Sequence, residues 1–247
     1  MEQTNGGVTY RSICIPETWC DAQGCVRPDA LVSAMQDAAG LHLVRCGISL
    51  ETLAAQGCLL VLLWTELRLQ RPPAAGETVR LRVWFDREKH GMHPARYQCL
   101  GADGQVLAAM ASWWVAIDRA RRTLVFSDQI MSRLPRHSEA SSFTAPMQES
   151  FPPSLPCCAE RTVQRQEIDY NGHMNNAHYI RWACELPEGA PSRCCLTRLW
   201  AEYGVELLEG QRATMSYGWE ADTLYVLGSR DGEASFRLKM EYTREEP

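Results

Sequence analysis

Asp169, Asn171 and His173 bring a carboxylate, a carboxamide and an imidazole together within five residues, with Gly172 between the last two. Asn175, Asn176, His178 and Tyr179 follow directly. These group types can orient a water, hold a carbonyl and move a proton near neutral pH, and Gly172 leaves room for a ligand beside them. Asp, Asn and Gly also write the start of a helix, in which Asp169 or Asn171 would serve as a cap. A helix that needed only a cap would turn apolar at once. Here His173, Asn175, Asn176, His178 and Tyr179 keep one face polar, which favours a site.

Such a cluster needs a frame. The pattern predicts a helix from about Gly172 to Glu185, stopped before Pro187. Strands are expected near Leu196 to Val205 and Ala213 to Trp219, then a hairpin of Leu224 to Gly228 with Ala234 to Tyr242 across Asp231 and Gly232. The first half repeats this order. Apolar residues three or four apart from Pro28 to Leu41 predict a helix with one buried face, and Pro28 suits its first turn. Strands follow at Cys58 to Gln70 and Glu77 to Phe85, then Arg96 to Leu100 paired with Gln105 to Ile117 across Ala102, Asp103 and Gly104.

Asp21, Gln23, Gly24 and Cys25 line up with Asp169, Asn171, Gly172 and His173, so the halves read as copies of which only the second holds the imidazole. From 131 to 158 the chain is rich in proline (Pro135, Pro146, Pro152, Pro153, Pro156) and serine and reads as a linker. The expected division is 1–130, linker 131–158, and 159–247. The expected class is α+β: a duplicated helix laid on an antiparallel sheet, one half supplying chemistry and the other shaping a ligand cavity.

At 247 residues each half can bury a core without staples. A net charge of −5 argues against nucleic acid as a partner. Eleven cysteines follow no disulfide framework, and Cys14, Cys20, Cys25, Cys46, Cys58, Cys99 and Cys184 sit in apolar segments as buried free thiols do. The stretch from Met1 to Gly7 lacks a leader pattern and no apolar run would span a bilayer. A reducing cytoplasm, with no membrane partner, is the expected setting.

The run Asp-x-Asn-x-His-x-Asn-Asn-x-x-Tyr from Asp169 to Tyr179 resembles the acyl-ACP thioesterases, as do Met35 and Gln36 in the first helix, Arg71 to Glu77, and Trp113 to Asp118. The resemblance implies a tandem double hotdog, each half a long helix wrapped by an antiparallel sheet. The implied activity is hydrolysis of fatty acyl thioesters in fatty acid biosynthesis, with acyl carrier protein bearing a phosphopantetheine-linked chain as partner. Asp169, Asn171 and His173 would be catalytic, and the family's further acid, in a Tyr-x-x-Glu context, matches Tyr203 to Glu206. The cysteine that usually follows that acid is Leu207 here, which excludes a thiolate mechanism through that position.

Hydrolysis needs donors aimed at an oxyanion. The backbone N–H groups of Gly172 and His173, read as free at a helix start, are the expected ones. Glu206 would be base or nucleophile, His173 and Asn171 would position water and thioester, and Asp169 would orient the motif. Met35, Leu60, Leu62, Trp64 and Met110 are candidates to line an acyl tunnel, Met35, Trp64 and Met110 foremost. Arg119, Arg121, Arg122, Arg87, Lys89 and Arg96 are candidates to dock the acidic carrier.

His90 and His93 complete no compact ligand set with His173 or His178, so neither metal nor other cofactor is expected. Acyl-CoA hydrolysis is the nearest competing activity. A hotdog dehydratase would show Asp-x-Asn-Pro-x-His, which Asp169 to His173 lacks, and a non-catalytic acyl binder would have lost Asn171, His173 or Glu206. Two units in one chain fit a monomer or a homodimer.

Overall fold

Alternation through Thr78–Phe85 buries Val79, Leu81, Val83 and Phe85 on one side, and a strand with one dry face must be covered. The computed structural model describes residues 2–125, 131–137, 139, 143, 149–186 and 194–244. It divides into two compact units, Met1–Pro146 and Met147–Pro247.

The first unit contains β1 (Glu2–Asn5), β2 (Val8–Cys14), β3 (Cys58–Leu69), β4 (Thr78–Phe85), β5 (Met92–Leu100) and β6 (Val106–Asp118). They form an antiparallel array in the order β1-β2-β4-β5-β6-β3. Helix α1 (Pro28–Arg45) buries Leu31, Val32, Met35, Ala38, Ala39 and His42. It runs past the expected end at Leu41 because the stop is Gly47. At φ +75°, Gly47 lets its own N–H and that of Ile48 donate to the carbonyls of Val44 and Leu43. A short helix α2 (Leu50–Ala55), closed by reciprocal bonds between Ser49 and Thr52, was not foreseen.

The sheet's two faces differ in chemistry. Register aligns Thr9, Val83, Tyr97 and Met110 on the side where His42 of α1 stacks on Phe85, their rings 5.7 Å apart. Trp64, Ala111, Trp113 and Phe143 pack together on the other side, where the Arg68 guanidinium lies 4.7 Å from the Phe143 ring. Trp64 therefore does not share a face with Met110, because it sits opposite Trp113 in the register. Arg96 is buried, stacked 5.2 Å from Trp113, and its Nε donates to Asp86 at 2.7 Å. It is withdrawn from docking, whereas Arg87, Lys89, Arg119, Arg121 and Arg122 are exposed.

The second unit contains β7 (Cys157–Thr162), α3 (Asn176–Cys184), β8 (Cys194–Tyr203), β9 (Arg212–Glu220), β10 (Thr223–Arg230) and β11 (Glu233–Arg244). Its antiparallel order is β8-β11-β10-β9-β7. The β10–β11 turn is the expected one, with Asp231 at φ 53° and Gly232 at φ 84°, the geometry of a tight hairpin. In the same hairpin Gly228 lies opposite Phe236, and a Cβ there would run into the Phe236 ring. That ring stacks 4.7 Å from Tyr179 of α3.

The edge strands β1 and β7, and β2 beside β1, were not foreseen. Within the proline-rich stretch, Met131, Leu134 and Phe143 are buried and β7 starts at Cys157, so parts of that stretch are built into the units. Pro146, like Pro187 at the end of the second helix, lies outside the described residues. The ten cysteines whose side chains are described are all free, but only Cys58 and Cys99 are buried. Cys14 is exposed and Cys20, Cys25, Cys46 and Cys184 are half-buried, because apolar neighbours in sequence do not guarantee a core position. No helix among the described residues is long and apolar enough to cross a membrane.

Two outcomes follow for stability. Gly228→Ala must displace the Phe236 ring, and urea unfolding is expected to register a loss of about 1–3 kcal/mol. His42 is held down to about 4, chiefly by burial and further by the Arg45 cation. A neutral buried imidazole contributes fully above the unfolded value of about 6.5, and that contribution is lost as pH falls towards 4. Stability is therefore expected to drop by up to about 3 kcal/mol between pH 7 and pH 4 through this group, and His42→Gln to flatten that part of the profile. An unchanged slope in the variant would remove His42 as the cause.

Candidate active site

Residues 164–175 fold through side chains biting their own backbone. The Asp169 Oδ1 accepts the Asn171 N–H at 2.7 Å, the Gly172 N–H donates to the Asp169 carbonyl at 3.0 Å, and the Asp169 N–H donates to the His173 carbonyl at 3.0 Å. Asn171 Nδ2 lies 3.5 Å from Asp169 Oδ2. Gly172 holds φ +87°, a left-handed conformation that also explains why glycine stands there.

The right-handed helix consequently starts later than Gly172. Asn175 is its cap, its Oδ1 accepting the Ala177 N–H at 2.9 Å, and α3 runs from Asn176. For Gly172 this corrects the expectation about oxyanion donors. The Gly172 N–H is spent in the turn, and neither Gly172 nor His173 belongs to the helix N-terminus.

The same turn stands in the first unit. Asp21 Oδ1 accepts the N–H groups of Gln23 and Cys25 at 3.0 Å each, the Gly24 N–H donates to the Asp21 carbonyl at 3.0 Å, and Gly24 has φ +78°. The Val26 N–H donates to Pro73, just as the Met174 N–H donates to Leu207. Counting back one residue sets Pro72 opposite Glu206, so the first copy carries Gln23, Cys25 and Pro72 where the second has Asn171, His173 and Glu206.

In the second unit that bond, 2.8 Å long, brings the loop after β8 against the turn. Glu206 Oε1 then stands 3.8 Å from His173 Nε2, with both side chains about one-third exposed. This is an ion-pair distance rather than a hydrogen bond, of the kind that tightens when substrate fills the site. Leu207, in the place of the family's cysteine, is fully buried. Around the pair, Trp182 Nε1 donates to Glu167 Oε1 at 2.7 Å, pinning the residues before the turn. Tyr179 is buried, its rings packed with Tyr203 and Phe236, and burial pushes its phenol well up, so it stays protonated.

Sequence reading missed Glu167, Trp182 and Arg230, whose Nη1 donates to the Glu206 carbonyl at 2.9 Å. None stands in the motif's spacing. Of the tunnel candidates, Met35 and Met110 are both fully buried, Met35 on α1 and Met110 on the helix side of β6, while Trp64 is half-buried on the opposite face. His93 is buried with its Nδ1 3.2 Å from Arg136 Nη2, beside a cation.

The profile of the acyl-ACP thioesterase N-terminal domain matches residues 7–133, and that of the C-terminal domain matches residues 157–243. The chain belongs to the acyl-ACP thioesterase family. It is 29% identical over 141 residues to a chloroplastic acyl-[acyl-carrier-protein] hydrolase of Cuphea viscosissima, a match covering 50% of this chain and 33% of that protein. It is 24% identical over 173 residues to a chloroplastic palmitoyl-acyl carrier protein thioesterase of Gossypium hirsutum, covering 64% and 41%. The matched stretch thus spans less than half the length of these curated relatives.

Among solved structures, the 12:0-ACP thioesterase from Umbellularia californica matches with a TM-score of 0.86 at 18% identity, covering 98% of this chain and 100% of that one. An acyl-ACP thioesterase from Bacteroides thetaiotaomicron gives 0.86 at 19% identity, covering 96% and 98%. The fold is the tandem double hotdog that the motif led us to expect, although the second helix is shorter than expected.

The paired turns provide a check on local energetics. Asp21→Ala removes a carboxylate that accepts two backbone N–H groups and Asp169→Ala one that accepts the Asn171 N–H, and each is expected to cost about 1 kcal/mol in chemical denaturation. A loss confined to one of them would mean that the two turns are held differently.

Proposed function

We propose that the chain hydrolyses acyl-ACP thioesters, releasing free fatty acid and the carrier's phosphopantetheine thiol. The observation that carries this reading is the Glu206 carboxylate facing the His173 imidazole at 3.8 Å, beside Asn171 on a turn tied together by Asp169. A carboxylate so placed can take the proton from a water that attacks the thioester carbonyl, or attack that carbon itself to form an anhydride that water then opens. In either route a C–O bond forms, the C–S bond breaks and the sulfur leaves as the carrier's thiol. His173 and Asn171 orient the water and the carbonyl, and Asp169 acts by holding the turn. Incorporation of solvent oxygen into the Glu206 carboxylate distinguishes the second route from the first.

The first unit contributes the acyl-chain side of the reading. Met35 and Met110 stay as candidate contacts, since each methylene accommodated or refused is worth about 0.8 kcal/mol. The exposed Arg87, Lys89, Arg119, Arg121 and Arg122 are candidates to meet the acidic carrier. Ten free thiols suit a reducing compartment, which supports a cytoplasmic setting.

The test is a hydrolysis panel of acyl chains from short to long, each presented on acyl carrier protein and on CoA. Preference for the carrier is expected. Equal or better use of CoA would move the activity to acyl-CoA hydrolysis, and no release from either would make the chain an acyl binder. Glu206→Gln and His173→Ala are expected to lower kcat by at least ~100-fold in folded protein. Asp21→Ala should leave kcat within about twofold while Asp169→Ala removes most of it, because only the second turn carries reacting groups. Full activity in the Glu206 and His173 variants would overturn the site.

A further inference from the structure

The loop that carries Glu206 leaves β8 after Tyr203 and rejoins the sheet at Arg212, and its backbone is held from several sides. The Val205 N–H donates to the Ala234 carbonyl at 3.0 Å. The Leu207 N–H bonds to the Tyr179 hydroxyl, and the Leu207 carbonyl accepts the Met174 N–H at 2.8 Å. The Leu208 N–H donates to Gln211 Oε1 at 2.8 Å.

The carbonyl of Glu206 itself is held by a side chain from the end of β10. Arg230 Nη1 donates to it at 2.9 Å and to Gln211 Oε1 at 2.7 Å, so one guanidinium nitrogen ties the start of the loop to its end.

Arg230 stands at a position where an arginine would ordinarily reach for water. Its neighbour Asp231, 92% exposed, offers a carboxylate 3.7 Å from Arg230 Nε, a pairing that needs no inward turn and contributes little. Yet the Arg230 side chain is only 23% exposed, and its short bonds point inward to the loop.

We infer that Arg230 is a positioning residue for the Glu206 carboxylate: by holding the Glu206 carbonyl it fixes the peptide from which that side chain reaches His173. The inference rests on the reading of Glu206 as the reacting carboxylate. Its leverage is geometric, because a displacement of about 1 Å in a reacting group costs on the order of 100-fold in rate.

The experiment compares the unaltered protein with Arg230→Met, Arg230→Lys, Glu206→Gln and the double variant Arg230→Met/Glu206→Gln. Thermal unfolding identifies the variants that stay folded. Arg230→Met is expected to lower kcat by ~10- to 100-fold with KM within about twofold, and Arg230→Lys to recover part of the loss. In the double variant the Arg230 change should add nothing to the loss caused by Glu206→Gln.

The second readout needs no substrate. The NMR signals of the His173 ring should shift in Arg230→Met in the direction they take in Glu206→Gln, because both withdraw the carboxylate from the imidazole. Unaltered kcat in Arg230→Met, losses that multiply in the double variant, or unmoved His173 signals would each overturn the inference. Should Arg230→Met fail to fold, Arg230→Lys and Gln211→Met decide by the same readouts. If the unaltered protein hydrolyses no thioester, the proposed activity fails, while the His173 signals still decide the role of Arg230.

Discussion

One main-chain hydrogen bond, from the Met174 N–H to the Leu207 carbonyl at 2.8 Å, is the contact on which the site depends. It joins the residue after His173 to the residue after Glu206, and so converts two distant stretches of chain into facing walls. Gly172, at φ +87°, closes the turn ahead of the helix that begins at Asn176, and the Met174 N–H, lying between turn and helix, is directed to the Leu207 carbonyl. Were the helix to start at Gly172, the turn that presents Asn171 and His173 would be consumed by it. Shielded by the buried Leu207 and Tyr179, the bond is kept from competition with water, which favours its persistence.

The first unit uses the same architecture without the chemistry. Its bond from Val26 to Pro73, its Asp21 turn and its Gly24 reproduce the second unit's framework. Where that framework presents Asn171, His173 and Glu206, the first copy has Gln23, Cys25 and Pro72. The framework is therefore a property of the fold, and reactivity is a property of the side chains mounted on it. In both units the sheet face away from the helix carries arginines against aromatic rings, Arg68 over Phe143 in one and Arg237 over Phe151 in the other, at 4.7 and 4.4 Å. Planar guanidinium groups cover such faces by stacking while keeping their hydrogen-bond donors for carboxylates such as Glu66 and Glu202.

Much of this was legible beforehand because periodicity and turn chemistry are local. Pro28 at a helix start, the alternation from Thr78 to Phe85 and the Asp231–Gly232 turn each express their structure through neighbours alone. Misreadings arose where a distant partner decides. Helix α1 outran Leu41 because its buried face continues to His42, packed against the sheet. Arg96 was no surface cation because Asp86 and Trp113 take it inside. Trp64 changed faces because the register shift between Leu62 and Trp64 moves it relative to simple alternation.

The sequence by itself determined the class of the two main helices and of strands β3 to β6 and β8 to β11, the duplication, and the types of group brought to the reaction, since a carboxylate, an amide and an imidazole at Asp169, Asn171 and His173 are chemistry before they are geometry. Only the tertiary structure decided how those groups stand. It set Glu206 at 3.8 Å from His173, spent the Gly172 N–H inside the turn, and brought Arg230 from the end of another strand to the Glu206 carbonyl. The physical reason is the range of the forces involved. Dihedral preferences and side-chain-to-backbone bonds act over a few residues and leave a local imprint, as in the hairpin of β10 with β11, whereas the pairing of β8 with β11 is settled by burial across the whole unit and leaves none.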